Sequence, residues 1–221
     1  MFELNSFLNM DCVEGMKQYP DKYFELAITD PPYGIGESGE KNKSRGKLAK
    51  AKDYKPFAGK DTKPPGEEYF KELLRVSKNQ IIFGANHYIS RIPLDSHCWL
   101  VWDKDNGNTD FADCELAWTS FPTAVRKFRY RWSGMLQENM SNKEVRIHPT
   151  QKPVALYKWI LNNYAKKGDK ILDTHVGSAS SLVACRELGF DYIGFELDPD
   201  YYKAASERLN AAKDQMNIFD Y

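Results

Sequence analysis

Short apolar runs alternate with amphipathic segments along this chain. The apolar runs are rich in β-branched and aromatic side chains, which is typical of buried strands, and they cover residues 4–9, 24–29, 80–88, 98–104, 114–121, 170–173 and 192–198. Segments with apolar residues at helical spacing cover residues 12–18, 67–77, 153–164, 181–189 and 199–213. This alternation predicts an α/β domain with a largely parallel sheet.

The strand predicted at residues 24–29 runs directly into Asp30-Pro31-Pro32-Tyr33. Each proline removes a backbone N–H donor and fixes φ, so the strand is expected to end in a rigid stub. That stub presents the Asp30 carboxylate and bare carbonyl oxygens, which accept hydrogen bonds. It suits a group with two N–H donors, such as an exocyclic amine. The alternative is a plain stop signal between a strand and a loop.

A second candidate site follows the strand predicted at residues 170–173. Asp173 ends this strand, a small-residue loop carries Gly177 and Ser178, and Glu196 ends the next strand. Such a loop lets the backbone approach a ligand at a helix N-terminus, and the acid accepts hydrogen bonds from ribose hydroxyls. The pattern therefore predicts a cofactor that contains adenosine. An ordinary βαβ crossover with solvated acids is the alternative.

The loop lacks the second and third glycines of the G-x-G-x-x-G pattern, which disfavours a pyrophosphate-bearing dinucleotide. Asp173 also disfavours such a dinucleotide, because a carboxylate at the strand end would repel a pyrophosphate. It would attract an ammonium group, such as that of S-adenosylmethionine. We therefore expect S-adenosylmethionine as the cofactor.

The order of the two candidate sites along the chain is unusual. The predicted cofactor half comes last, and only one helix follows Glu196, so this half lacks a third strand. The strand at residues 4–9 and the acid Asp11 would complete it in a circularly permuted fold, with Asp11 near the adenine ring of the cofactor. As a lone acid after a strand, Asp11 would alternatively cap a helix.

Composition narrows the class of protein. The 221 residues suit one domain, and a hydrophobic content of 42% indicates a folded globular chain. The four cysteines are scattered without a CxxC pair, which favours buried thiols in a reducing compartment over disulfides or a zinc site. Neither a signal peptide nor a membrane-spanning run is expected, and we predict a cytoplasmic protein.

The formal net charge of +0 neither favours nor excludes nucleic acid as a partner, but two local segments are basic. We predict that residues 34–66 form a mobile loop. Its Lys47, Lys50 and Lys52 would hold DNA, and a loop that is only solvated is the alternative. In "VRKFRYRW", Lys127, Arg129 and Arg131 would share one face of a strand and track phosphates. A structural hairpin with an exposed basic side is the alternative there. Residues from about 105 to 145 are the candidate target-recognition insertion.

Six motifs together resemble one protein family: "NMDCVEGMKQYP", "TDPPYG", "IIFGANHY", "HPTQKP", "DTHVGSAS" and "FELDPDYY". The chain is similar to DNA amino-methyltransferases of the permuted β group, in which the catalytic block precedes the cofactor block. The resemblance implies a Rossmann-like, S-adenosylmethionine-dependent methyltransferase fold. It also implies double-stranded DNA as the partner and, because relatives are often dimers, a homodimer as one alternative.

The resemblance assigns roles to the first site. The Asp30 carboxylate and the Pro31 carbonyl would hold both N–H groups of the base and aim the nitrogen lone pair at the sulfonium methyl. Pro32 keeps the strand end rigid, and Tyr33 offers a stacking face for a base flipped out of the duplex. Within "HPTQKP", Thr150 and Lys152 would contact the methionine end of the cofactor, although Thr150 could instead cap the following helix.

One departure concerns the cofactor loop. Where the family usually has Asp-Pro-Phe-x-Gly-Ser-Gly, this chain has "DTHVGSA", so His175 stands in place of a phenylalanine that packs near the cofactor. Packing is also the expected role of His175, because no second metal ligand is spaced nearby.

The expected activity is methylation of adenine N6 by a site-specific enzyme of the restriction-modification kind. Methylation of cytosine N4 is the alternative within the same chemistry, and Asp30 favours adenine because cytosine-N4 relatives more often carry serine there. A protein that binds the cofactor and DNA without turnover is the alternative from another class.

Overall fold

The fold is known from a computed structural model that describes residues 1–36, 61, 63–107, 112–133 and 136–219. Its centre is an eight-stranded sheet with the strand order β1-β10-β9-β2-β3-β5-β4-β6. The strands are β1 (Ser6–Asn9), β2 (Phe24–Thr29), β3 (Ser77–Phe83), β4 (Trp99–Asp103), β5 (Cys114–Thr119), β6 (Arg126–Arg129), β9 (Lys170–Asp173) and β10 (Asp191–Glu196). A separate pair, β7 (Trp132–Ser133) and β8 (Leu136–Gln137), is antiparallel.

Most neighbouring strands of the sheet are parallel. Among the described strands of the eight-stranded sheet, only β5 runs against its neighbours, β3 and β4. The prediction of an α/β fold with a largely parallel sheet is therefore confirmed. Because the carboxyl ends of parallel strands share one edge, the loops after β2, β9 and β10 open on the same side of the molecule.

The circular permutation is confirmed by the position of β1. This strand pairs in parallel with β10, and the register joins Ser6 to Ile193 and Asn9 to Glu196. The first strand of the chain thus completes the half of the sheet that the last strands begin. The residue after β1 and the residue that ends β10 lie at the same edge.

Helices cover both faces of the sheet. The helices are α1 (Cys12–Met16), α2 (Glu67–Val76), α3 (Val154–Tyr164), α4 (Ser180–Leu188) and α5 (Pro199–Phe219). One buried cluster joins the sheet to α1 and α2, and includes Met16, Phe70 and Leu73. The other joins it to α3, α4 and α5, and includes Ile160 and Leu182. Apolar side chains on both sides of β2 explain why this strand reads as a near-continuous apolar run.

Two details differ from the sequence-based expectation. The strand expected at residues 80–88 begins earlier, at Ser77, and ends at Phe83, because Gly84 turns the chain with φ +67°. Two short 3-10 helices, Ala85–His87 and Ile89–Arg91, take the place of its last residues. Within the described residues, no helix has the length and apolar character that crossing a membrane requires.

Candidate active site

The two predicted sites meet at adjacent strand ends. β2 and β9 are neighbours in register, with Ala27 opposite Leu172. Directly beyond them, the Oγ1 atoms of Thr29 and Thr174 lie 2.6 Å apart. The Tyr69 hydroxyl, from α2, lies 2.8 Å from Thr29 Oγ1 and 2.7 Å from Thr174 Oγ1. This buried trio of hydroxyls fixes the strand end that carries Asp30 against the strand end that carries Asp173.

Asp30 follows β2 and is held by two side chains. The Tyr33 hydroxyl donates to Asp30 Oδ1 at 2.7 Å, and the Lys152 ammonium forms an ion pair with Oδ2. Only 16% of the Asp30 side chain is exposed. Burial raises the pKa of Asp30, although the Lys152 ammonium works against this rise. The predicted catalytic carboxylate is therefore in place beside Pro31, Pro32 and Tyr33, but both of its oxygens have partners.

Lys152 was predicted to contact the cofactor, and it lies in the catalytic cluster. Besides Asp30, its Nζ lies 3.0 Å from Glu115 Oε2 and 3.2 Å from the Tyr33 hydroxyl oxygen. Glu115, on β5, also forms an ion pair with Lys104 at 2.5 Å. Burial alone would raise the pKa of Glu115, but the ammonium groups of Lys152 and Lys104 lower it to about 2. Two lysines and two carboxylates thus form one compact, charge-balanced cluster.

The ring of Tyr33 has a close aromatic neighbour. It stacks on the exposed imidazole of His87, with ring centroids 5.0 Å apart and an interplanar angle of 16°. Its other close contact is the backbone at Gly84, which has no side chain to displace it. An aromatic ring held in this way beside a carboxylate can stack on a planar ring that brings an amine to the carboxylate.

Asp173 is buried at the end of β9. It accepts a hydrogen bond from the backbone N–H of His175 at 2.9 Å and another from the Ser181 hydroxyl. Burial raises the pKa of Asp173 to about 7, and the charges of Asp30 and Glu196 add to this rise. Because β9 lies between β2 and β10 in the sheet, the carboxylates at the ends of these three strands lie at one edge.

The loop between β9 and α4 is anchored by Glu196. This carboxylate accepts the backbone N–H of Gly177 at 2.8 Å and that of Asp198 at 2.9 Å. Gly177 has φ +53° and Ala179, which precedes α4, has φ +62°. Ser178 is buried, and its hydroxyl lies 3.1 Å from that of Ser180. Small residues allow the left-handed turn that brings backbone to the helix N-terminus.

Asp11 occupies the predicted position, after the strand next to β10. Its Oδ1 caps α1 by accepting the backbone N–H groups of Val13 at 2.8 Å and Glu14 at 3.1 Å. The alternative interpretation as a helix cap is therefore confirmed. Asp11 is also close enough to His175 to influence the pKa of that imidazole, which puts it at the same edge as Asp173.

The two histidines of the site are held by packing. His175 contacts the Tyr69 ring edge-on at 5.3 Å, and its Nδ1 lies 2.9 Å from Thr174 Oγ1. Burial lowers the pKa of His175 to about 4, in agreement with the packing role predicted for it. His148 packs edge-on against Tyr201 at 4.3 Å. Burial and the Lys152 ammonium lower the pKa of His148 to about 4 as well.

Thr150 is the one "HPTQKP" position that points to solvent. Its side chain is exposed, and its Oγ1 lies 3.1 Å from His148 Nδ1. The alternative that Thr150 caps the next helix is wrong, because α3 has Pro153 as its N-cap and its first backbone N–H, that of Val154, donates to Glu144 Oε1 at 3.0 Å.

Comparison with known proteins decides the family. The model of the DNA methylase family of N6 and N4 enzymes matches residues 95–207, just over half of the chain. The chain belongs to this family. The family match begins before β4 and ends within α5, so it takes in Glu115, Lys152, Asp173 and Glu196.

Relatives of this DNA methylase cover nearly the whole chain. The type II methyltransferase M.HinfI of Haemophilus influenzae is 26% identical over 257 aligned residues, which is 97% of this chain and 70% of the relative. Among solved structures, the complex of M1.HpyAVI with S-adenosylmethionine has a TM-score of 0.57 at 21% identity, over 92% of this chain and 98% of that one. The cytosine-N4-specific PvuII DNA methyltransferase has a TM-score of 0.59 at 12% identity, over 97% and 93%. These likenesses confirm the predicted methyltransferase fold.

The basic strand of this DNA methylase is the edge strand β6, which runs parallel to β4. As predicted, Phe128 and Tyr130 pack towards the core, and Lys127, Arg129 and Arg131 are exposed. The cations are partly neutralised: Arg129 and Arg131 share Asp105 at 2.5 Å and 2.8 Å, and Lys127 lies 3.4 Å from Asp103. Lys47, Lys50 and Lys52 lie outside the described residues, as does most of the predicted loop at 34–66.

The candidate target-recognition range, residues 105–145, is only partly separate from the core. β5 and β6 fall inside this range and are strands of the central sheet. The small pair of β7 and β8 follows them. Residues 108–111 and 134–135 of the range lie outside the described part of the chain.

Sequence reasoning missed three residues that hold the site together. Glu115 completes the charge cluster, and no spacing motif marks it. Arg208, on α5, donates to the Ser178 carbonyl at 2.6 Å and to Glu144 at 2.7 Å. The first of these bonds holds the cofactor loop against α5. Asp61 accepts the backbone N–H groups of Gly34 at 2.6 Å and Ile35 at 3.2 Å, and so ties down the chain that follows Tyr33.

Proposed function

We propose that this DNA methylase transfers a methyl group from S-adenosylmethionine to the exocyclic amine of a base in double-stranded DNA, with adenine N6 as the acceptor. The observation that carries the proposal is the pair of buried carboxylates, Asp30 and Asp173, at the ends of two adjacent parallel strands. Asp30 can accept hydrogen bonds from an amine, and Asp173 can pair with a cation. Because the two carboxylates are neighbours, they would bring the amine and the positively charged methyl donor together.

The chain's residues fit S-adenosylmethionine. Asp173 is a buried acceptor whose pKa of about 7 would fall beside an ammonium group. Glu196 ends the neighbouring strand, where a carboxylate suits ribose hydroxyls, and the loop of Gly177 and Ser178 presents backbone at the start of α4. His175 and Asp11 would border the same ligand. When bound, the cofactor supplies an electrophilic methyl group on a sulfonium centre.

The work of this chain in the reaction is orientation. An exocyclic amine is a poor nucleophile because its lone pair is drawn into the ring of the base. Asp30 and the Pro31 carbonyl accept its two N–H groups, which favours a tetrahedral nitrogen and directs the lone pair away from the ring. Tyr33 stacks on the base and thereby fixes its plane. Positioning and preorganised acceptors of this kind supply most of the rate enhancement in such transfers.

Adenine is preferred over cytosine as the substrate on the basis of Asp30. In the resemblance described above, cytosine-N4 enzymes more often carry serine at this position. Cytosine N4 is nevertheless the second candidate, because the fold of the cytosine-N4-specific PvuII enzyme matches this chain over 97% of its length. Both substrates use the same acceptors and the same stacking face.

Double-stranded DNA is the proposed partner. The exposed side of β6, with Lys127 and Arg129, is continued by Arg131 two residues after the strand, and it supports a phosphate-tracking surface within the target-recognition range. Such contacts would position the duplex without reading its sequence. Lys47, Lys50 and Lys52 extend the same proposal to the segment after Tyr33.

The test of the proposed function is the identity of the product. The chain is expressed in a host without DNA methylation of its own, and the genomic DNA is digested to nucleosides and analysed by mass spectrometry. We expect N6-methyladenine. Finding N4-methylcytosine would keep the mechanism and replace the substrate, whereas finding neither would refute the activity.

A further inference from the structure

The buried ammonium of Lys152 has two carboxylates within reach, and they come from different parts of the fold. Asp30 follows β2, and Glu115 lies on β5, where it is opposite Trp102 of β4. Only 3% of the Lys152 side chain is exposed. Its Nζ forms an ion pair with Asp30 Oδ2 and lies 3.0 Å from Glu115 Oε2. The two contacts are not equivalent, because the one to Asp30 is shorter and better aligned than the one to Glu115.

This arrangement conflicts with the role of Asp30 as an acceptor. Its Oδ1 already accepts the Tyr33 hydroxyl and its Oδ2 the Lys152 ammonium. Each oxygen keeps a second lone pair, so an incoming amine can bind, but it shares the carboxylate with the ammonium, and Asp30 becomes a stronger acceptor for the amine when the ammonium moves away. If the ammonium were displaced without another anion nearby, a charge would be left buried and unpaired, which is strongly unfavourable.

Glu115 has the acceptor capacity that such a displacement needs. Its Oε1 is paired with Lys104 at 2.5 Å. Its Oε2 is buried, and its ion-pair partner is the Lys152 ammonium at 3.0 Å. A small movement of the Lys152 side chain would convert this contact into a full charge-assisted hydrogen bond.

We propose that Glu115 is a positioning residue that takes over the Lys152 ammonium when Asp30 accepts the amine of the base. The inference rests on the proposed function and adds a step to it. In the free protein, Lys152 bridges the two carboxylates and favours the ionised form of Asp30 against the effect of burial. With the base bound, the ammonium pairs with Glu115, and Asp30 is left free to hold an N–H group. Glu115 acts through Lys152 and does not touch the substrate.

The electrostatics around Lys152 are consistent with this exchange. Burial works against the charge on Lys152, but the carboxylates of Asp30 and Glu115 raise its pKa above the ordinary lysine value. Removing either carboxylate would lower that pKa. The titratable and charged groups that face this cluster are Asp30 and Tyr33 after β2, Tyr88 after β3, Lys104 after β4, Glu115 on β5, His148 in the segment before α3, Tyr157 on α3 and Asp173 at the end of β9.

The test compares Glu115→Gln with a matched control, Glu25→Gln. Glu25 also pairs with two lysines, Lys78 and Lys170, and its side chain is 22% exposed, as is that of Glu115. It lies near the start of β2, at the opposite edge of the sheet from Asp30. Glutamine keeps the shape of the side chain and removes only the charge. Single-turnover methyl transfer to DNA and cofactor affinity are measured for both variants.

We expect Glu115→Gln to lower the single-turnover rate about 10-fold or more, because the ammonium then stays on Asp30. Cofactor affinity should change little, and Glu25→Gln should keep the wild-type rate. The deficit of Glu115→Gln should narrow as the pH rises from about 7 to about 9.5, because its Lys152 loses the proton more readily and releases Asp30. Glu115→Asp, which keeps the charge, should recover most of the rate.

A second measurement does not depend on activity. The side-chain pKa of Lys152, followed by NMR in the free protein with labelled lysine, should be lower in Glu115→Gln than in the wild type. The inference is overturned if this pKa is unchanged, or if Glu115→Gln transfers methyl groups at the wild-type rate at every pH while the wild type is active. If Glu115→Gln does not fold, the same two measurements are made on Glu115→Ser, and a wild-type rate together with a wild-type Lys152 pKa in that variant would overturn the inference. A wild-type chain that methylates no base would instead refute the proposed function.

Discussion

A side chain on Gly84 would occupy the space of the Tyr33 ring. A Cβ atom built at Gly84 falls well within 3.0 Å of three atoms of that ring, and the residue has φ +67°. The backbone at the end of β3 therefore forms the surface on which Tyr33 rests beside Asp30. Tyr33 and Gly84 are more than 50 positions apart in the chain. Their contact explains why "IIFGANHY" and "TDPPYG" occur together.

The first prediction concerns this contact. Gly84→Ala should displace Tyr33 and lower methyl transfer at least about 10-fold, because stacking on the base is worth about 1–3 kcal/mol. The control is Gly107→Ala, since Gly107 has a similar φ of +63° but nothing within 4 Å of its Cβ position. In the control, the backbone strain of the alanine should lower the unfolding free energy by about 1 kcal/mol. Equal effects of the two variants on methyl transfer would contradict the contact's role.

The second prediction concerns the stability of the free protein against pH. Burial raises the pKa of Asp173 to about 7 in the folded state, whereas an unfolded chain has the ordinary carboxyl value. Between about pH 4 and pH 7 the folded state therefore binds more protons, and its stability falls as the pH rises through this window. Asp173→Asn cannot ionise, so it should lack this part of the decline.

Denaturant unfolding at several pH values measures the effect. The unfolding free energy of Asp173→Asn relative to wild type should increase from pH 5 to pH 7.5, by at most about 2.5 kcal/mol. Parallel pH profiles for the two proteins would show that Asp173 is not held protonated by burial.

The third prediction concerns cofactor affinity. Glu196→Ala should weaken binding of S-adenosylmethionine about 10-fold or more, because a hydrogen bond to a charged group is worth about 1.5–3 kcal/mol. Asp191→Ala is the control, because Asp191 lies at the other end of β10, where its side chain accepts from Asn5 at 2.8 Å. Calorimetric titration gives both affinities. Unchanged affinity in Glu196→Ala would remove Glu196 from the cofactor site.

The fourth prediction concerns the basic face of β6. Asp105 pairs with both Arg129 and Arg131, so Asp105→Asn should free them and strengthen binding to DNA of any sequence. Asparagine tolerates the left-handed backbone that Asp105 adopts, with φ +46°. Replacing Arg129 and Arg131 by glutamine should weaken binding and lower the log–log salt slope by about 0.9 for each lost phosphate contact.

Glu187→Gln is the control for the change in net charge, because Glu187 pairs with Lys158 in the helical layer formed by α3 and α4. It should leave DNA affinity near the wild-type value. If Asp105→Asn and Glu187→Gln alter the affinity equally, the effect comes from overall charge and the face of β6 is not a DNA surface.

The parts of the site that sequence could predict are local. Asp30, Asp173 and Glu196 each end an apolar run, and the carboxyl ends of parallel strands must meet at one edge. The permutation could be inferred because the cofactor half visibly lacks a strand. The charge cluster could not be inferred, because Glu115 reaches Lys152 only through β5, the one antiparallel strand among the described strands of the sheet. Nothing in the spacing of these two residues records that pairing.

The contacts that Lys152 and Thr150 make were also beyond sequence reasoning. Both belong to "HPTQKP", yet Lys152 is buried against Asp30 and Thr150 is exposed. Which side of the segment faces the site depends on how Gln151 is held: its Oε1 accepts the backbone N–H of Ile147 at 2.8 Å and its carbonyl accepts the Trp132 indole N–H at 2.8 Å. These are tertiary contacts with no periodic signature.

The most direct test of the central claim replaces the carboxylate at the end of β2. Wild type and Asp30→Ala are compared in single-turnover methyl transfer to DNA, and S-adenosylmethionine binding is measured by calorimetry on the same preparations. We predict that Asp30→Ala loses methyl transfer by about 100-fold to 1,000-fold, since a preorganised electrostatic contact is worth about 2.7–4 kcal/mol, while cofactor affinity stays within about 3-fold of wild type. Methyl transfer by Asp30→Ala at a rate near that of the wild type would contradict the account.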